Sequence, residues 1–154
     1  VYISEIVESA LSSISIKTSS ILGFFAGKVL LKSEPLNDIE YTLISSIKDL
    51  TDNDLELFAV LFRFIEETDS LPKREVSNKI YEYRIHDIFE EVNLNLIPFE
   101  KDQVEFLIEK LKNKGILSYS VGGIGLFGNS KGAFVFTKYS NRLIEILDQI
   151  EVVV

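Results

Sequence analysis

Apolar residues recur at Ile3, Ile6, Val7, Ala10, Leu11 and Ile14, three and four positions apart with Ser and Glu between them, which predicts an amphipathic helix at the start of the chain. Thr18-Ser19-Ser20 can cap a second helix, continued by the run ILGFFAGKVLL at 21–31. Within that run Gly23 and Gly27 form G-x-x-x-G, a spacing that lets two soluble helices touch closely. Beyond the break at Ser33-Glu34-Pro35, the positions Leu36, Ile39, Leu43, Ile47 and Leu50 mark a third helix. Thr51 and Asp54 make a capping box with Asp in place of Glu, and the stretch Leu55 to Ile65 that follows has nine apolar residues in eleven. A helix apolar nearly all round is expected at the buried centre of a fold.

Residues 68–78 read as a loop around Pro72 and the basic pair Lys73-Arg74. Tyr81, Tyr83 and Ile85 alternate like a short strand, and Ile85, Ile88, Phe89 and Val92 return to helical spacing. A turn at 93–98 leads to a clear helix from Phe99 to Lys114, with Val104, Leu107, Ile108 and Leu111 on one face and Gly115 as its stop. Leu117, Tyr119 and Val121, then Phe134 and Phe136, read as the inner faces of two strands joined into a hairpin by a glycine-rich loop. Ser140 caps a last helix carrying Leu143, Ile144, Leu147 and Ile150.

The loop itself, G-G-I-G-L-F-G-N-S-K-G at 122–132, places Gly123, Gly125 and Gly128 at G-x-G-x-x-G spacing. A dinucleotide fingerprint needs a helix after its third glycine, because the helix N-terminus holds the pyrophosphate; here a strand follows. A phosphate loop needs Lys where Asn129 stands. The glycines are therefore read as hinges of a long hairpin connection. Ile124, Leu126 and Phe127, three apolar residues at its tip, either fold back onto the domain or are offered to a partner.

Composition narrows the picture. The chain of 154 residues is 46% hydrophobic and 26% charged, enough for a real core. It has no Cys, which excludes disulfides, thiolate metal sites and a thiol nucleophile and points to a cytoplasmic protein. The 21–31 run is too short to span a bilayer, which needs about 20 residues, so a membrane role is not expected. Val1 rather than Met at the start, and no Met anywhere, suggest a piece of a longer protein or a chain written without its modified residues. The formal net charge of −8 opposes nonspecific attraction to phosphate backbones, though a local patch can override it.

From Thr51 onward the order is long helix, short strand, short helix, turn, helix ending K-N-K-G-I-L, strand, glycine-rich loop, strand, then F-T-K-Y-S-N-R-L-I-E-I-L. This resembles the winged-helix superfamily, with Phe99 to Lys114 as the third helix and 116–137 as the wing. K-x-K-G-I-L-S-Y ahead of a strand ending in Thr is a pattern of its bacterial members. The resemblance implies a mainly α fold with a small antiparallel β-hairpin, a helical annex at 1–50 and a winged-helix domain at 51–154. It also implies DNA binding by analogy, with the third helix in the major groove.

The charges depart from that pattern. Residues 100–109, EKDQVEFLIE, carry four acids and one Lys, so the outward face shows Lys101, Asp102, Glu105 and Glu109. Carboxylates pressed toward phosphates are repelled and offer few donors to base edges. Between Lys110 and Ile144 there is no acid. Lys112, Lys114, Lys131, Lys138 and Arg142 there, with Lys73 and Arg74, are candidates for a polyanion footprint, or are scattered solvated cations. His86, the sole histidine, and Glu90 are four residues apart and can offer two metal ligands with no evident third; no nucleophile-elbow motif accompanies it.

A non-catalytic protein without metal or small-molecule cofactor is therefore expected, acting through protein contacts or self-association. Ile124, Leu126, Phe127, Lys101, Glu105 and Glu109 are its candidate partner-binding residues. The alternative is a DNA-binding regulator that grips the backbone through the basic wing region.

Overall fold

The computed structural model describes residues 3–7, 15–91, 100–119 and 132–153. They are mainly helical, with one four-stranded antiparallel sheet. In chain order the elements are α1 (residues 3–7), α2 (Ile16–Leu31), α3 (Asp38–Ser46), α4 (Asp52–Glu67), β1 (Arg74–Ser77), β2 (Ile80–Arg84), α5 (Ile85–Glu91), α6 (Lys101–Asn113), β3 (Leu117–Ser118), β4 (Ala133–Phe136) and α7 (Lys138–Val153). Contacts divide the chain into two compact units, one of residues 1–56 with 138–154 and one of residues 57–137. Expected positions Ala10, Leu11, Ile14, Val92 and Val121, the turn at 93–98, and the loop glycines Gly123, Gly125 and Gly128 lie outside the described residues.

Among the described residues, the regular elements of the first unit are all helices. Helix α2 starts five residues before the apolar run because Ser15 caps it, its Oγ accepting from the Thr18 amide at 3.0 Å. Thr18, Ile21, Leu22 and Phe25 form its buried face. The Thr18 hydroxyl donates to the Leu50 carbonyl (3.2 Å), tying α2 to the segment that follows α3. Helix α3 is shorter than its apolar spacing predicts, since a turn closed by Leu50 N–H to the Ile47 carbonyl (3.1 Å) follows it. Asn37 and Glu40 close a capping box at its start. Helix α7 packs against α2 and α3, so it clusters with the N-terminal helices, whereas the sequence grouped it with residues 51–154.

Thr51 and Asp54 cap α4 reciprocally as expected, the Thr51 amide donating to Asp54 Oδ2 (3.0 Å) and the Asp54 amide to Thr51 Oγ1 (3.1 Å). Leu55, Leu57, Phe58, Leu61, Phe62 and Ile65 are buried, which agrees with the apolar stretch read from the sequence.

In the second unit the sheet runs β1-β2-β4-β3. Leu117 pairs with Phe136 and Ser118 with Val135, so the two arms flanking the glycine loop do pair, although β3 is only two residues long and Tyr119 beyond it is 48% exposed. The segment expected to be loop at 68–78 contains β1, paired with β2. Its residues are mostly exposed, so no alternation marked it as a strand; it is an edge strand held by a tight turn with Lys79 at φ 58. On β2 the buried side chain is Glu82, while Tyr81 and Tyr83 are half-buried. Tyr83 joins Phe134 and Phe136 in an aromatic cluster, with ring centroids 6.0 and 5.7 Å away.

Candidate functional site

Helix α6 is fixed at both ends by its sequence. The Glu100 amide donates to Gln103 Oε1 (3.0 Å) at the start. At the end Gly115, at φ +75, donates to the Lys112 carbonyl (3.0 Å), and Ile116 donates to the Leu111 carbonyl (3.0 Å). This pair of bonds needs a left-handed residue, which is why glycine stands there. Val104, Leu107, Ile108 and Leu111 are buried as the spacing predicts.

The opposite face carries Lys101 and Asp102, both exposed, with Glu105 and Glu109 half-exposed. Among them stands Phe106, 71% exposed. It is absent from the candidates of the charge pattern, and its position off the 104-107-108-111 stripe marks it as outward. A bare aromatic flanked by acids is suited to an apolar surface rimmed with bases, and unsuited to phosphates.

The expected basic footprint is thinner than its residue count. Lys112 is a correction: its side chain is fully covered, its Nζ lies 3.2 Å from Glu109 Oε1 and 5.1 Å from the Tyr119 ring centre, and its stem serves as packing. Arg142 is occupied too, bridging Glu40 and Glu145 at 3.0 Å each. Arg74 pairs with its cross-strand neighbour Glu82 at 2.9 Å. Lys73 lies 4.4 Å from the Tyr81 ring centre and Lys138 5.3 Å from that of Tyr139; both are exposed. Lys114 is half-buried and engaged. Lys131 and the loop-tip residues Ile124, Leu126 and Phe127 lie outside the described residues.

His86 Nε2 and Glu90 Oε1 are 2.9 Å apart at the surface, an i,i+4 pair. Among the described residues no three His, Asp or Glu gather as a metal site.

In the helical unit, α2, α3 and α7 converge on Glu40, whose side chain is wholly buried. Lys28 Nζ reaches its Oε1 at 2.7 Å, Arg142 its Oε2 at 3.0 Å, and the Asn37 amide its Oε1 at 3.1 Å. Burial pushes the Glu40 carboxyl up, but the hydrogen bonds from Lys28, Arg142 and the Asn37 amide outweigh it and hold the group below the usual carboxylate range. The Arg142 guanidinium also lies 5.9 Å from the Phe24 ring centre. Beside this network is a groove of about 390 Å³ lined by Gly23, Phe24, Gly27, Lys28, Leu31 and Lys32. The two glycines were expected to touch another helix. Among the described residues, nothing lies within 4 Å of where a Cβ would stand at either, so that close contact is not made.

No helix of the described residues is long and apolar enough to cross a membrane. No protein family, curated protein or solved structure matches the chain.

Proposed function

We propose that the chain is a non-catalytic binding protein whose 57–137 unit is a winged-helix domain turned to protein recognition. Support for the winged-helix assignment comes from connectivity: α4, β2, α5, α6, β3 and β4 follow one another, and the strand after the first helix lies beside the last strand, in the order β2-β4-β3. That arrangement makes α6 the helix that a DNA-binding relative would lay in the major groove. The β1 strand is then an addition to the sheet's edge.

The observation that carries the proposal is Phe106, 71% exposed on α6 between Asp102, Glu105 and Glu109. Three of the bases that would have to grip a duplex are committed elsewhere, since Lys112 is buried and Arg74 and Arg142 hold buried carboxylates, which leaves Lys73 and Lys138 as the exposed ones among those described. His86 has its Nε2 on Glu90 at the surface and is assigned no catalytic part.

Titrating the protein with mixed-sequence duplex DNA at low salt tests this. No binding is expected. A complex that weakens steeply with salt, and that charge reversal of Lys114 and Lys138 abolishes, would overturn the proposal in favour of a DNA-binding regulator.

A further inference from the structure

We draw no further inference here: the strongest candidate, the groove of about 390 Å³ beside Gly23 and Gly27 on helix α2, carries nothing, because its Lys28 and Arg142 are already held by buried Glu40 and nothing in the structure shows what covers it.

Discussion

Glu40 in the helical unit and Glu82 in the sheet unit have side chains 0% and 4% exposed, yet their partners differ. Lys28 and Arg142, which hold Glu40, are themselves only 18% and 22% exposed, whereas Arg74 and Arg84 beside Glu82 are 48% and 61% exposed. In the first case three helices close over both signs of charge. In the second, a carboxylate is buried on a strand while its cations remain wet. Removing a partner from a closed network strands a charge without water, while a wet cation is simply resolvated.

Glu40→Ala should therefore destabilise the protein by about 3–5 kcal/mol, since Lys28 and Arg142 lose the charge that compensates them. Glu82→Gln should cost less, about 1.5–3 kcal/mol, the range for hydrogen bonds to a charged group. Urea midpoints measure both, and equal losses would break the comparison.

Acid sharpens it. A carboxyl held below its unfolded value binds fewer protons folded than unfolded, so the stability it contributes is present at neutral pH and lost as pH falls through the ordinary carboxylate range. Glu40 qualifies, from an ordinary value of 4.5. Asp52 does too, held down by hydrogen bonds from the Ser15 hydroxyl at 2.6 Å and the Lys17 amide at 2.8 Å, from an ordinary value of 3.8. The melting temperature should fall from about pH 5 downward, and Glu40→Gln should flatten that fall.

The sheet unit depends more on backbone conformation. Gly115→Ala, at φ +75, should cost about 1 kcal/mol by forcing a side chain into the left-handed region. Lys79→Gly, at φ +58 in the β1–β2 turn, should be neutral or stabilising by up to about 1 kcal/mol for the converse reason. Smallest of all, His86→Ala should change stability by less than about 0.5 kcal/mol, because both His86 and Glu90 are exposed. A larger loss would show that surface pairing matters more here than burial does.

What the sequence determined by itself was local. The Thr51–Asp54 cap, the Gly115 stop, the inward stripe of α6 and the apolar centre of α4 depend on residues within a turn or two of each other, where spacing and side-chain type set the outcome. The outward position of Phe106 is local too, since it follows from its angle on α6 relative to the buried stripe. The rest needed the chain to come together. Glu40 meets Arg142 across 102 residues of sequence, and no local pattern announces that a capping glutamate will also be the buried anion of three helices. β1 became a strand only because β2 was there to pair with it, and Lys112, on paper one more cation, lost its solvent to Tyr119 and Glu109. Burial and partnership are properties of the packed chain, and they decide which charges remain available to anything outside it.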